Sequence, residues 1–140
     1  MGARQEARAN GNRRTLLIID DDEEWTEVAK LFFRDKYDVE VANSACDAME
    51  MVSRGRPSAI IVDLVMPTVD GFGVIHRLND SGNSRIPTIL VTGWKTAEVE
   101  ECAVAVGCAA VLAKPVDLTA LDAIVASVIS SAAASPAAVM

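Results

Sequence analysis

The sequence predicts an α/β fold in which a single parallel sheet is covered by helices on both faces. Five short apolar runs alternate with five longer segments of helical period. The runs at 16–19 and 59–62 are apolar at every position, as strands that are buried on both faces must be. Strands that alternate with helices form βαβ units, and these units assemble into parallel sheets.

The elements can be placed in order along the chain. We expect strands at residues 16–19, 39–42, 59–62, 86–91 and 109–113. We expect helices at residues 23–34, 45–54, about 71–78, 96–106 and from about 117 onward. The first helix carries a wide apolar face: Trp25, Val28, Ala29, Leu31, Phe32 and Phe33. The second ends before Gly55, the third repeats Phe72, Ile75 and Leu78 at helical spacing, and the fourth stops at Gly107.

These elements leave room for one domain in the 140 residues. We expect that domain at residues 15–130. Residues 1–14 are polar and basic without apolar periodicity, which predicts a disordered arm. Residues 131–140 are rich in Ala and Ser with one proline, which predicts a flexible tail. No stretch approaches the ~20 apolar residues that span a bilayer, and the arm lacks the apolar core of a secretory signal, so we expect a cytoplasmic location and no membrane contact.

The net charge of −7 is unevenly spread. The arm carries four arginines against one glutamate, which leaves the remaining chain more acidic than the total. A body this acidic argues against direct DNA binding. The three cysteines, Cys46, Cys102 and Cys108, have no C-x-x-C spacing and lie in Ala-rich surroundings, which favours buried reduced thiols over metal ligands.

Carboxylates, a threonine hydroxyl and a lysine follow four of the five predicted strands, whereas the second strand contributes only Asn43 and Ser44. Asp20, Asp21 and Asp22 follow the first, Asp63 the third, Thr92 and Gly93 the fourth, and Lys114 and Pro115 the fifth. In a parallel α/β sheet the carboxyl ends of the strands share one edge, where ligands bind. Each residue alone has an ordinary role, such as a helix N-cap for Asp22. Their coincidence at one edge favours a functional site.

The chemistry of this set suits phosphoryl transfer. Carboxylates held close together repel one another and need a cation, and oxygen ligands without His or Cys suit Mg²⁺ (or Mn²⁺). Lys114 supplies a fixed positive charge and Thr92 a hydroxyl donor. Asp63 could then attack phosphorus as a nucleophile, with charge on the phosphoryl oxygens stabilised by the metal and the lysine.

At about residues 15–130 the chain resembles the receiver domain of two-component response regulators. The resemblance rests on the following residues: Asp20 and Asp21; Asp63-Leu64-Val65-Met66-Pro67; Asp70-Gly71; Thr92-Gly93; and Lys114-Pro115. It implies a flavodoxin-like sheet of order 2-1-3-4-5 and phosphorylation of Asp63 by a sensor histidine kinase or a histidine phosphotransfer protein. It also implies a signalling domain rather than an enzyme.

The resemblance also implies roles for individual residues. Asp21, Asp63 and the backbone carbonyl of Val65 would hold Mg²⁺, with Asp20 assisting through water. Thr92 and Lys114 would bind the phosphoryl group, and Gly93 would leave room for it.

Three features depart from the family pattern. Val111 replaces the usual Tyr or Phe, whose rotation reports phosphorylation. Val65 and Trp94 are bulky and apolar where the family places residues beside the path of the hydrolytic water, so we hypothesise that they prolong the life of the aspartyl phosphate. We expect no effector domain after the fifth helix, which predicts signalling by contact with a downstream protein target. The expected outer face of that helix has small residues and suits a helical partner or a homodimer: Ala120, Ala123, Ala126 and Ser127.

The sequence leaves three alternative interpretations. A phosphohydrolase of the haloacid-dehalogenase type needs a second aspartate where Val65 stands. A receiver-like module that is never phosphorylated finds support only in Val111. The chain could also be the receiver fragment of a longer regulator. His76, the single histidine, is expected on the surface of the third helix rather than as a ligand.

Overall fold

The protein is described by a computed structural model covering residues 13–66, 70–83 and 85–134. Strands and helices alternate in this order: β1 (Arg14–Ile19), α1 (Glu23–Phe33), β2 (Tyr37–Ala42), α2 (Ala45–Gly55), β3 (Ala59–Asp63), α3 (Gly71–Asp80), β4 (Thr88–Thr92), α4 (Ala97–Val106), β5 (Ala110–Ala113) and α5 (Leu118–Ala134). All strand pairs are parallel, and the sheet order is β2-β1-β3-β4-β5. The predicted fold and strand order are confirmed.

The core lies in two layers, one on each face of the sheet. Successive side chains of a strand point to opposite faces, so Leu17 and Ile19 enter one layer while Leu16 and Ile18 enter the other. The first layer is completed by buried residues of α2, α3 and α4, and the second by those of α1 and α5. Because β1, β3 and β4 are covered on both faces, their carboxyl ends are held in a rigid row.

The folded domain begins earlier than predicted. Arg13 and Arg14 belong to it, so the prediction that they lie in a disordered arm is wrong. Arg14 is the first residue of β1, and the guanidinium of Arg13 donates to the carbonyl oxygens of Asp35 (3.2 Å) and Tyr37 (2.7 Å), and also to that of Arg34. The carbonyls after a helix lack intrahelical donors, and an arginine can satisfy several of them at once.

The helix and strand ends differ from prediction at other places. Helix α5 extends to Ala134, past the expected domain end at residue 130. Strand β4 begins at Thr88 and not at Ile86, since the intervening Pro87 has no N–H for the ladder. The rest of the predicted arm (1–12) and the end of the predicted tail (135–140) lie outside the described residues. None of the described helices has the length and hydrophobicity to cross a bilayer.

The apolar face predicted for α1 is wider than the surface that packs on the sheet. Ala29 and Phe33 are fully buried, but Val28, Leu31 and Phe32 remain exposed. A helix that lies on one sheet buries a single stripe, and apolar residues beyond that stripe stay in solvent.

The predicted burial of the cysteines is wrong for two of the three. Cys46 and Cys102 are exposed, while Cys108 is half-buried and burial raises the pKa of its thiol. The Ala-rich surroundings did not reveal that Cys46 and Cys102 lie on exposed faces of α2 and α4. His76 is exposed on α3, with Nε2 3.4 Å from Oδ2 of Asp80, as predicted for a surface side chain.

Candidate functional site

The ends of four strands bring the predicted site residues together. Asp20 follows β1, Asp63 ends β3, Thr92 ends β4 and Lys114 follows β5. Backbone hydrogen bonds continue the sheet pairing into these tips: the N–H of Lys114 donates to the carbonyl of Thr92 at 2.8 Å. The N–H of Asp20 likewise donates to the carbonyl of Ala42 at 3.1 Å. The sheet register therefore sets the position of each functional side chain.

Three carboxylates form a cluster at this edge. One oxygen from each of Asp20, Asp21 and Asp63 lies within 4.8 Å of the others. Asp20 and Asp63 are buried, whereas Asp21 is exposed. Oxygen-only donors at this spacing suit a hard divalent cation that keeps some of its water, as Mg²⁺ does. The carboxylate cluster thus fits the predicted metal, and the backbone carbonyl of Val65 stays a predicted additional ligand.

Lys114 bridges the two buried carboxylates. Its Nζ lies 3.2 Å from Oδ2 of Asp20 and 3.3 Å from Oδ1 of Asp63. Burial lowers the pKa of Lys114, but attraction to Asp20 and Asp63 outweighs burial, so the net shift is upward. Lys114 therefore stays protonated and positively charged beside the acceptor carboxylate. The peptide bond from Lys114 to Pro115 is cis.

The electrostatic environment raises the pKa of Asp63 and so disfavours its ionised form. Burial raises the pKa of Asp63 most, and the negative charge of Asp20 raises it further. Lys114 and the backbone N–H of Val65 act in the opposite direction without reversing the shift. A divalent cation at the cluster would favour the ionised, nucleophilic form of Asp63.

Thr92 has the geometry of a hydroxyl donor. Its side chain is fully buried, and its Oγ1 accepts a hydrogen bond from the backbone N–H of Trp94 at 2.9 Å. That bond uses a lone pair of the oxygen and leaves the hydroxyl proton to be donated. At Gly93, a Cβ would meet no atom of the described chain within 4 Å. Packing therefore does not require glycine there, and the predicted need for room would arise only with a bound phosphoryl group.

Asp22 has the N-cap role considered from the sequence. Its Oδ1 accepts from the backbone N–H of Trp25 at 3.2 Å and so caps α1. Its own backbone N–H donates to Oδ1 of Asp20 at 2.9 Å. Asp20 is therefore held between this N–H and Lys114, with its two oxygens in fixed directions.

Gly71 positions α3, and only the structure shows why this residue must be a glycine. A Cβ at this position would lie 2.7 Å from the carbonyl oxygen of Asp63 and 2.9 Å from Cδ1 of Leu90. The N–H of Gly71 donates to the carbonyl of Leu64 at 2.7 Å. Asp70 caps α3 by accepting from the N–H of Gly73 at 2.8 Å. The Asp70-Gly71 pair thus seats α3 against the tip of β3.

A methyl group at Gly71 is expected to disturb this contact. Gly71→Ala should lower the free energy of unfolding by about 2 kcal/mol, because the added Cβ overlaps backbone that cannot move freely. Denaturant titration measures this loss. Gly55→Ala is the matched control, since a Cβ there meets no described atom within 4 Å, and it should leave stability unchanged or slightly raised. Equal effects of the two substitutions would contradict the steric explanation.

The three residues that depart from the family pattern occupy different environments. Val65 is 58% exposed and Trp94 is 71% exposed. Neither side chain is therefore buried in the core. Val111 is half-buried against the core layer formed with α2, α3 and α4. The roles predicted for these residues remain predictions.

The fold and the site together define a receiver-type α/β domain. The family model for the response regulator receiver domain matches residues 16–126. The chain therefore belongs to the response regulator receiver family, the family that its sequence resembles. Domains of this family function in two-component signal transduction.

Similar proteins agree with this assignment. The response regulator MprA of Mycobacterium leprae is 32% identical over 107 residues, which cover 76% of this chain and 46% of the relative. The response regulator Rre1 of Synechocystis is 29% identical over 124 residues, which cover 86% of this chain and 54% of the relative. The chain thus spans about half the length of the curated relatives it matches.

Solved structures show the same fold. A CheY-like response regulator receiver domain protein from Methanospirillum hungatei aligns with a TM-score of 0.80 at 21% identity, over 86% of this chain and 96% of that chain. The chemotaxis protein CheY4 of Vibrio cholerae aligns with a TM-score of 0.79 at 24% identity, over 83% and 98%. At these identities the likeness supports the fold alone.

Proposed function

We propose that Asp63 accepts a phosphoryl group from a phosphohistidine of a sensor histidine kinase or a histidine phosphotransfer protein, with Mg²⁺ (or Mn²⁺) bound, in the cytoplasm. The result would be an altered surface for contact with a downstream protein. The observation that carries the proposal is the bridge of Lys114 Nζ to Asp20 and Asp63, within the three-carboxylate cluster.

The proposed step is a displacement at phosphorus. A carboxylate oxygen of Asp63 forms the new P–O bond while the P–N bond to the donor histidine breaks. The imidazole nitrogen leaves with the bonding electron pair and takes a proton from water. The products are an aspartyl phosphate on this chain and a neutral histidine on the donor. No oxidant or reductant is needed.

Each residue has a task in this step. Asp20, Asp21, Asp63 and the carbonyl of Val65 would hold the cation, which when bound would neutralise charge on the phosphoryl oxygens. Lys114, whose Nζ lies 3.3 Å from Oδ1 of Asp63, would pair with a phosphoryl oxygen once that carboxylate is phosphorylated. Thr92 would donate its free hydroxyl proton to another oxygen. Gly93 and Pro115 would shape the space around the group.

Phosphorylation would be reported through these same contacts. If Thr92 and Lys114 turn toward a phosphoryl group, the loops after β4 and β5 move with them, including exposed Trp94. Val111 lacks the aromatic ring that would rotate, so movement of the β4–α4 loop is the proposed route. The exposed residues Ala120, Ala123 and Ala126 offer α5 as a contact surface for a partner or a homodimer.

The acceptor function is tested by incubating the chain with acetyl phosphate and Mg²⁺ and measuring the intact mass. We expect an adduct of one phosphoryl group that does not form when EDTA removes the metal. A module that is never phosphorylated would give no adduct with Mg²⁺ or with EDTA, and this result would contradict the proposal. Transfer from a phosphorylated histidine phosphotransfer protein, followed by the same measurement, tests the donor class.

A further prediction concerns the lifetime of the phosphoryl group. Replacing Val65 and Trp94 together with Asn should speed phosphate loss about tenfold, if their apolar side chains fold over the phosphorylated site and exclude water. The rate is measured as decay of the adduct after the phosphodonor is removed. Both side chains are exposed, so the double variant should fold normally. An unchanged decay rate would refute the shielding hypothesis.

A further inference from the structure

A second polar depression lies at the opposite edge of the sheet from the carboxylate cluster. It has a volume of about 220 Å³ and is lined by residues that precede β1, β3 and β4 or begin them, together with the end of α5. Three of its lining residues are arginines, Arg14, Arg56 and Arg85, and Ser58 adds a hydroxyl. Because β1, β3 and β4 are adjacent in the sheet, three chain segments that are distant in sequence meet here.

The charges of this depression point to an anion. Arg14, Arg56 and Arg85 form no ion pair with a carboxylate among the described residues. The three arginines are exposed and line one opening, so an anion bound there could pair with more than one guanidinium group. Guanidinium groups pair with phosphate oxygens in a planar, two-bonded geometry that lysine cannot make.

Arg56 occupies a backbone conformation that favours glycine. It ends α2 with φ of 30° and ψ of 85°, in the left-handed region. A residue with a Cβ costs roughly 1 kcal/mol more than glycine in this region. The arginine is therefore not explained by the local backbone, and Arg56 is one of the residues that line the depression.

The size and total charge define the class of ligand. A depression of about 220 Å³ is smaller than the ~300–1,000 Å³ of pockets for drug-sized ligands. The net charge of −7 repels long polyanions such as nucleic acid, since their charges extend beyond the three arginines. A compact multivalent anion interacts only with the three arginines, so the net negative charge of the chain opposes its binding less. Pro57, Ile86 and Ile129 line the rest of the depression with buried apolar side chains.

We propose that Arg14, Arg56 and Arg85 form a binding site for a small phosphate-bearing anion, of the pyrophosphate or nucleoside polyphosphate class. This site is separate from the acceptor site and would persist if Asp63 were never phosphorylated. Pyrophosphate contains the linked phosphate groups that this class of ligand has in common. Comparing its affinity with that of a nucleoside triphosphate determines whether a nucleoside adds affinity by contact with the apolar residues of the depression.

The test is a titration of the full chain with inorganic pyrophosphate in the presence of EDTA. Binding is measured by NMR chemical shifts and by thermal unfolding. EDTA keeps metal from the carboxylate cluster, which then repels the probe. We expect shifts at residues 56–58 and 85–87 and a rise in melting temperature. Arg56→Gly and Arg85→Gln should each weaken binding about tenfold, and Arg77→Gln, an exposed arginine of α3 outside the depression, should not.

Arg56→Gly keeps the test independent of folding. Glycine relieves the left-handed conformation, so this variant should unfold at the same or a higher temperature while binding more weakly. The proposal is overturned if pyrophosphate causes no shift at millimolar concentration, or if the two pocket variants bind as well as the Arg77 control. A glutamate-rich peptide that binds through the same arginines and is not displaced by pyrophosphate would also overturn it, in favour of a protein partner.

Discussion

Replacing Asp63 with Asn is expected to abolish the phosphoryl adduct completely. An amide oxygen is a far weaker nucleophile than a carboxylate and cannot form the acyl phosphate. The substitution is nearly isosteric, so the buried site should remain packed. Intact mass after incubation with acetyl phosphate and Mg²⁺ measures the effect. Asp80→Asn, which removes an exposed carboxylate of α3, is the control and should leave the adduct unchanged.

Asp63→Asn abolishes phosphorylation but is expected to raise the stability of the metal-free chain at neutral pH. Burial and Asp20 raise the pKa of Asp63 above the value of an unfolded aspartate, so the folded state binds more protons than the unfolded state between the two pKa values. Stability therefore falls as pH rises through that window and stays lower at neutral pH. Asn carries no charge, so without metal Asp63→Asn should unfold at higher denaturant concentration at pH 7 and lose this advantage in acid. A destabilised variant at pH 7 would contradict this reading of the site.

Lys114→Met should impair both the chemistry and the fold. Removing a charge that stabilises the transferring group is expected to slow adduct formation about 100-fold. It also leaves Asp20 and Asp63 facing each other without a cation, which should cost about 2 kcal/mol of stability. The measurements are the initial rate of the mass adduct and denaturant titration. Lys95→Met is the control, because its only described ion pair is a 3.9 Å surface contact with Glu100.

Mg²⁺ separates the two effects of Lys114→Met. A cation at the carboxylate cluster should restore much of the lost stability, so the variant should gain more stability from Mg²⁺ than the natural chain does. The rate defect should persist at saturating Mg²⁺, because the metal does not replace Lys114 at the phosphoryl oxygens. If Mg²⁺ stabilises both chains equally, the lysine and the metal do not act on the same carboxylates.

Much of the site followed from the sequence because a parallel sheet has a simple rule. Residues that follow parallel strands must meet at one edge, so Asp20, Asp63, Thr92 and Lys114 could be grouped without coordinates. The distances between them could not, since they depend on the register of each strand. The bridge from Lys114 to two carboxylates, and the N–H of Asp22 that orients Asp20, emerged only from the fold.

Other features were hidden from the sequence for physical reasons. Arg13 reads as part of a polar arm, yet it satisfies carbonyls after α1 that lie more than twenty residues away in the chain. Val28 and Leu31 belong to the apolar face predicted for α1, yet they remain exposed because α1 buries a single stripe. The three arginines of the second depression are spread over more than seventy residues, and only the strand order brings them together.

By itself the sequence determined the fold class, the strand order through its family resemblance, and the identity of the residues at the carboxyl edge. Local patterns suffice for these because hydrophobic periodicity and strand ends are properties of short segments. The tertiary structure alone decided that Gly71 must lack a side chain against Asp63, that Val65 and Trp94 stand exposed, and that a basic depression faces away from the acidic site. These depend on contacts between segments that are far apart in the chain, which no local pattern encodes.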